Sequence, residues 1–296
     1  MCIRSWHGRS KWKIYLSASW FLLLSCKSQH ALPPAYLRIA PARVVIENDT
    51  VLITPALDAW VYPEGRYLTL AETGQRVPIV PFDKSPILLA GGVRVNGISA
   101  ARRPYPFWEF DTLPFPLKAE EEHIYAPVYR YFADTLLQYF VKEDFESPQL
   151  TLRSTNLGDN GAVQIRRTFS EQRRGFWSGE VSLPPGADFR VESTEAFEFP
   201  QGEVWAEISL KGDRNLGVGI TREDKRTGRL ISRDIHLLLR PPDTGWGTFY
   251  VDLTPRLAEG AGLYRYRLYL TSAGDTAGAT YTLYLDDVRV LTLKKQ

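Results

Sequence analysis

Apolar and polar side chains alternate one for one along much of the chain, most clearly in Tyr264-Arg265-Tyr266-Arg267-Leu268-Tyr269-Leu270. A period of two sends successive side chains to opposite faces of a strand, so this pattern predicts a sheet with one buried and one wet face. Val204-Trp205-Ala206-Glu207-Ile208-Ser209-Leu210 and Thr248-Phe249-Tyr250-Val251-Asp252-Leu253 repeat it. Several such strands within residues 143–294 predict a C-terminal domain of two packed sheets, a jelly-roll β-sandwich.

Upstream, residues 36–140 carry shorter apolar runs cut by turn residues. Val44-Val45-Ile46 and Val51-Leu52-Ile53 flank Glu47-Asn48-Asp49-Thr50 in a hairpin-like arrangement. Ala59-Trp60-Val61-Tyr62 runs into Pro63-Glu64-Gly65, and Ile87-Leu88-Leu89 is stopped by Gly91-Gly92. Val93 and Val95 lead into Asn96-Gly97, the strongest short turn signal. These features predict a small N-terminal β-sandwich. Lys118-Ala-Glu-Glu-Glu-His123 reads as a solvated loop. The aromatic stretch Tyr129–Val141 fits a strand pair or one amphipathic helix, and its β-branched and aromatic bias favours strand. The predicted class is therefore all-β.

The first 26 residues follow a different logic. Arg4, Arg9, Lys11 and Lys13 precede an apolar run of roughly 11 residues, Ile14–Leu24, followed by Ser25 and Cys26. A basic head, a short apolar middle and small residues make a secretory signal peptide over residues 1–25. The run is far shorter than the about 20 residues a membrane-spanning helix needs. Leu22-Leu23-Leu24-Ser25-Cys26 resembles the lipobox of bacterial lipoproteins. That resemblance implies cleavage before Cys26, acylation of its sulfur with chains such as palmitate, and a lipid-anchored position at the outer membrane. Residues 26–35, ending in Pro33-Pro34, then form a short tether between lipid and fold. No acidic residue follows Cys26 before Glu47, so the facing leaflet stays open between periplasm and cell surface.

Composition changes this picture in two ways. The chain has two cysteines, Cys2 and Cys26, so a processed protein keeps no thiol for a disulfide, a thiolate metal site or a nucleophile. Its formal charge of +2 comes from the leader: without residues 1–25, 32 basic residues face 34 acids. Near-neutrality gives no electrostatic case for a nucleic-acid partner.

Candidate chemistry is sparse. His7 belongs to the leader and His30 to the tether, while His123 lies beside glutamates and His236 within an apolar strand pattern. No Gly-x-Ser-x-Gly elbow, His-Glu-x-x-His pair or phosphate-gripping loop occurs. Asp286 and Asp287 are neighbours on a predicted strand, where they are expected to face opposite ways and not to form a hydrolytic pair.

Two resemblances add expectations. Asp58-Ala-Trp-Val-Tyr62, Val77-Pro-Ile-Val80, Gly92-Val-Arg-Val-Asn-Gly-Ile-Ser99 and Arg103-Pro-Tyr-Pro-Phe107 stand in an order similar to the N-terminal region of an uncharacterised group of Bacteroidota outer-membrane lipoproteins. This implies an envelope location and no chemistry. Glu143-Asp-Phe-Glu146, the Trp246…Tyr250-Val-Asp-Leu-Thr254 segment and Tyr284-Leu-Asp-Asp-Val-Arg-Val290 resemble the galactose-binding-like jelly rolls, rich in carbohydrate-binding modules. That likeness implies a structural Ca²⁺ held by Glu146 with Asp286 or Asp287, since hard oxygen ligands suit this ion.

Glycan binding uses exposed aromatic platforms, and Trp177 and Trp246 stand in Gly-flanked, turn-like contexts suited to that role. Tyr105, Phe107 and Trp108 form a candidate partner patch, with an interdomain plug as the alternative. Asp275-Thr276-Ala277 resembles the periplasmic O-glycosylation motif of Bacteroidota, with Thr276 as acceptor. Together these features predict a non-enzymatic, lipid-anchored outer-membrane protein that binds or docks, with glycan as a candidate ligand. The alternatives are an accessory subunit of an outer-membrane assembly, secretion or uptake complex, and a jelly-roll glycoside hydrolase.

Overall fold

The computed structural model describes residues 32–46, 50–54, 57–81, 86–276 and 278–295. The leader, Cys26 and the start of the tether lie outside the described residues, as do Asn48, Asp49 and Ala277. The architecture is all-β, as the alternation predicts. Among the described residues no helix is long and apolar enough to cross a membrane.

The N-terminal unit packs two small sheets around Leu37, Ile39, Val61, Ile79 and Leu89. One joins β1 (Ala35–Ile39) to β6 (Arg76–Ile79) antiparallel and to β10 (Glu122–Tyr125) parallel. The other orders β5 (Thr69–Ala71), β4 (Asp58–Pro63), β7 (Ile87–Arg94) and β8 (Arg102–Pro104), with β9 (Asp111–Thr112) also on β7. A third ribbon holds β2 (Ala42–Ile46), β3 (Thr50–Thr54) and β11 (Val128–Arg130). The expected hairpin is β2–β3, with Val44 opposite Leu52.

The C-terminal unit is a sandwich of two sheets. The first runs β15 (Arg166–Thr168), β16 (Ser178–Leu183), β23 (Tyr281–Leu293), β18 (Trp205–Gly212), β21 (Gly247–Asp252). The second runs β13 (Leu152–Ser154), β17 (Asp188–Ser193), β22 (Tyr264–Ala273), β19 (Leu216–Asp224), β20 (Leu230–Leu239), with β14 (Ala162–Val163) on β17. Alternate residues meet in between: Val181, Leu283, Leu285 and Ile208 from one sheet, Phe189, Val191, Leu268 and Val218 from the other. A short helix, α1 (Thr254–Ala258), follows β21 and buries Leu257 against this core. β12 (Leu137–Glu143) pairs with the far half of β23. β12, which begins before residue 143, thus belongs to the C-terminal sheet.

The two units share a core. Tyr105, Phe107 and Trp108 are 3%, 0% and 4% exposed and pack with Trp205, Tyr250 and Leu291 of the C-terminal sandwich. The expectation of a partner patch there is corrected: edge-to-face contacts of Tyr105 with Trp205 (5.4 Å) and Tyr250 (4.8 Å) make these rings the interdomain plug. The Asn96-Gly97 turn has positive φ at both residues and docks on β21. There the Asn96 N–H donates to Tyr250 O (2.8 Å), and the Asp252 N–H donates to Asn96 Oδ1 (3.0 Å).

Truncating a fully buried Phe removes its transfer energy and leaves a cavity. Phe107→Ala should cost about 3–5 kcal/mol by urea unfolding, whereas an exposed patch residue would cost well under about 1 kcal/mol.

Candidate functional site

The connection between β15 and β16, residues 169–177, reads Phe-Ser-Glu-Gln-Arg-Arg-Gly-Phe-Trp. It lacks regular structure and is held by side chains from elsewhere. Asp286 Oδ2 accepts from the N–H groups of Arg173 (3.0 Å) and Arg174 (3.2 Å). The Arg174 guanidinium reaches Asp287 Oδ1 at 2.7 Å. Glu146 Oε1 accepts from the N–H groups of Phe176 (2.8 Å) and Trp177 (3.0 Å), and Lys211 pairs with Glu171 at 2.6 Å. Gly175 sits at φ +70°, and a Cβ there would stand 2.2 Å from Glu146 Oε1. The left-handed backbone favours glycine, and a larger residue would also displace the Glu146 carboxylate from its place on the loop.

The expectation that Asp286 and Asp287 face opposite ways is corrected by a bulge. Ser209 pairs with Asp286 and Glu207 with Arg289, so Asp287 and Val288 together oppose Ile208. Asp287 takes φ +46°, and the inserted residue re-aims its side chain. Both carboxylates consequently serve the same loop. Burial, with the neighbouring Asp287 charge, raises the Asp286 carboxyl from 3.8 to about 7. Burial also opposes ionisation of Asp287, but Arg174 and Arg289 outweigh it and lower its value.

Split values in an acid pair are a signature of acid–base catalysis, but access decides the question here. Asp286 and Asp287 are 1% and 6% exposed; Asp286 Oδ2 and Asp287 Oδ1 accept from the loop, Asp286 Oδ1 from the Asp287 N–H, and Asp287 Oδ1 also from Arg289. The cavity beside Asp287, at the junction of the two units, has a volume of about 20 Å³. It has room for a water and none for a sugar ring. Nor do the acids converge as calcium ligands: Glu146 holds one end of the loop, and the aspartates hold its middle. Among the described residues no group of three His, Cys, Asp or Glu is arranged to hold a metal ion.

The pinned loop presents aromatic surface. Phe169 and Phe176 are 74% and 78% exposed, and Trp177 is half-buried between them and the core. Phe169 meets Trp177 edge-on at 5.7 Å, and the Arg167 guanidinium lies over the indole at 4.3 Å. Arg167 is fixed in turn by donating to the carbonyls of Phe145 (2.6 Å) and Glu146 (2.9 Å). Phe169, Gln172, Gly175, Phe176 and Trp177 line an open hollow of about 430 Å³. A longer polar groove of about 700 Å³ runs along the sandwich edge, lined by Gln164, Arg166, Arg167, Thr168, Glu180 and Ser182 among others. Arg167 belongs to the groove and to the Trp177 stack, so it joins the two surfaces.

The other candidates are placed differently. Trp246 is half-buried, with its indole Nε1 enclosed and without a hydrogen-bond partner among the described residues, so its ring does not stand free. His236 lies half-buried on β20, its value lowered by burial and by Arg256 and Arg222. His123 packs on Phe115 at 5.4 Å and accepts from the Lys118 N–H. Thr276 is exposed between β22 and β23. Phe169, Phe176 and Arg167 escaped the sequence reading. The one available signal was the ring pair Phe176-Trp177 beside a glycine.

An all-β protein with an aromatic, groove-flanked loop on a two-sheet sandwich is the class these observations define. No protein-family model matches the chain, and no curated protein matches it. Among solved structures it is similar to the CBM22-1 xylan-binding domain of Paenibacillus barcinonensis Xyn10C, at 15% identity and TM-score 0.38, covering 54% of this chain and 96% of that one. It is also similar to TmCBM61 in complex with β-1,4-galactotriose, at 17% identity and TM-score 0.33, covering 53% and 99%. A third is the family 11 carbohydrate-binding module of Clostridium thermocellum Lic26A-Cel5E, at 14% identity and TM-score 0.37, covering 52% and 94%. Scores of this size assign no ligand to the chain, and its own surface has to supply the reading.

Asp286 keeps its proton in the folded state between pH 3.8 and about 7, where the unfolded chain has lost it. Its contribution to stability is full below that interval and drains away as pH rises through it. Replacing Asp286 by Asn removes the ionisation. The stability of Asp286→Asn relative to wild type should therefore rise by on the order of 3 kcal/mol between pH 4 and 7. Parallel urea-midpoint profiles for the two proteins would contradict the assignment.

Proposed function

We propose that this chain is a non-catalytic glycan-binding protein, exported and held at a bacterial outer membrane by lipid on Cys26. The carrying observation is that Phe169 and Phe176, each more than 70% exposed, flank Trp177 on a loop pinned by three acids. Phe169, Phe176 and Trp177 line one open hollow, and an exposed apolar patch of this kind marks a ligand-binding surface. Sugar rings fit it, stacking C–H faces on aromatic faces while their hydroxyls bond polar groups nearby. The groove supplies such groups in Gln164, Thr168, Glu180 and Ser182.

Preorganisation supports the same reading. Clamping through Glu146, Asp286 and Asp287 removes ordering entropy that binding would otherwise cost. The buried state of the aspartate pair disfavours the hydrolase alternative. Export rests on the leader pattern and the Leu-Ser-Cys26 sequence.

Two measurements test this reading. On a polysaccharide affinity gel, Trp177→Ala and Phe176→Ala should each lose at least about tenfold in affinity while Trp246→Ala keeps wild-type retardation, a difference of about 1.4 kcal/mol or more. Equal retardation of all variants would remove this loop from the binding site. Mass spectrometry of the processed protein should find an acylated Cys26 at the N-terminus. An unmodified chain still bearing its leader would end the lipoprotein assignment.

A further inference from the structure

The N-terminal unit carries a second cluster of exposed rings. Trp60 and Tyr62 lie two apart on β4 and share its outer face, while Ala59 and Val61 fill the core from the other face. Tyr67 folds back from the turn after β4 and meets Trp60 at 5.1 Å and Tyr62 at 5.7 Å. Phe110 meets Tyr62 edge-on at 5.7 Å. Tyr67 and Phe110 are 53% and 54% exposed, and Leu68, next to Tyr67 in the chain, is 45% exposed. Resting on the lipid anchor at Cys26, we infer that this patch lies against the phospholipid surface and sets how the protein stands on the membrane.

The tether leaves the fold at the end where the patch sits. β1 and β7 both run toward the junction of the two units. Ile39 leads into β2, whose Ala42 and Val44 join the shared core, and Val93 near the end of β7 joins the same core. The first residues of these strands, Ala35 and Ile87, therefore mark the end of the unit remote from the C-terminal sandwich. Pro63, which opens the turn carrying Tyr67 and Leu68, pairs with Ile87, and Tyr62 pairs with Leu88. Nine residues, 26–34, precede Ala35. Their reach is at most about 30 Å. Packed sheets stand about 10 Å apart, so a tether of this length leads from β1 round to the outer face of β4 and keeps that face close to the lipid.

The chemistry of the patch suits a bilayer surface. Trp and Tyr rings settle at the headgroup level with the apolar body inward and the polar tip in water, and Leu68 and Phe110 add wholly apolar side chains. A sugar fits less well. Ring planes inclined at 39°, 58° and 80° offer no common flat face, and the Trp60 indole nitrogen is enclosed, out of reach of a hydroxyl. Glu64 and Arg66 are both exposed in the turn, so its charges cancel and the contact is apolar in origin. Such a patch is weak alone. Beside a lipid anchor the contact becomes intramolecular, and a high effective concentration compensates for its small area.

The test uses the acylated protein reconstituted in phosphatidylethanolamine–phosphatidylglycerol vesicles. A processed chain has no thiol besides that of Cys26. Arg66→Cys therefore adds a single labelling site at the turn and leaves every ring in place. A fluorophore there should lose about half or more of its emission to a nitroxide on the lipid acyl chains, because interfacial groups sit about 5–10 Å into the headgroup and acyl boundary. This loss should persist at high salt. The same fluorophore on Thr280→Cys should stay bright, since Thr280 is exposed beyond the Gly212 end of β18, remote from Trp205 at the junction. Adding Phe110→Asp or Tyr67→Ser to Arg66→Cys should restore emission while the protein still floats with the vesicles. Protein that floats with the vesicles while the Arg66→Cys label stays bright, or quenching that survives both substitutions, would overturn the membrane contact and leave the anchor standing. A label that responds to soluble polysaccharide in detergent, without vesicles, would reassign the patch to glycan and overturn it likewise. Protein with an unmodified Cys26 that does not float with the vesicles would overturn the anchor and this inference with it.

Discussion

A single inserted residue in the last strand organises the surface of this protein. The bulge at Asp287 turns two adjacent carboxylates toward one loop, and that loop has no regular structure of its own. Nine residues without a ladder of backbone hydrogen bonds would otherwise sample many conformations. The Asp286 contacts to two consecutive N–H groups, the Asp287–Arg174 pair and the Glu146 clamp confine them to one. Exposed rings become a defined surface because buried charges behind them leave no slack.

The same network reaches the junction of the two units. Arg289 is 3% exposed and bonds Asp287 at 3.0 Å on one side, with Glu207 at 3.6 Å on the other. Glu207 accepts from the hydroxyls of Tyr105 (2.6 Å) and Tyr131 (2.7 Å), both contributed by the segment before the C-terminal sandwich. Burial raises the Glu207 carboxyl, with Arg289 and the two tyrosines opposing it. A continuous chain of polar contacts thus links the N-terminal unit to the aromatic loop through the interior. Breaking a buried member exposes its partners to an uncompensated environment, so the chain stands or falls as a unit. The N-terminal unit is in this sense a structural half of the site.

Local patterns exposed the sheets and concealed the contacts between them. Alternation in Tyr264–Leu270 and Val204–Leu210 marks most of β22 and most of β18, but the expected wet face of β18 is corrected: Val204–Leu210 is buried throughout, because the N-terminal unit covers the side of Trp205, Glu207 and Ser209. The Asn96-Gly97 turn was equally legible, because only certain residues accept positive φ. Strand pairing is not local: β12 joins the C-terminal sheet although its sequence resembles what precedes it. Aromatic residues were legible as large and apolar, but not as covered or free. Trp177 and Trp246 both stand beside glycines in turns, yet one borders an open hollow and the other has its indole nitrogen enclosed. The Asp287 bulge left no trace in the chain, since it follows from register against β18.

The most direct test of the account follows the indole N–H signals of the ¹⁵N-labelled protein during titration with a soluble polysaccharide. The chain has eight tryptophans, and the Trp177 signal is identified by its loss in Trp177→Phe. The account predicts that this signal shifts with saturating dependence on glycan while those of the enclosed Trp205 and Trp246 stay in place. A shift confined to other tryptophans, with Trp177 unmoved at saturation, would contradict it.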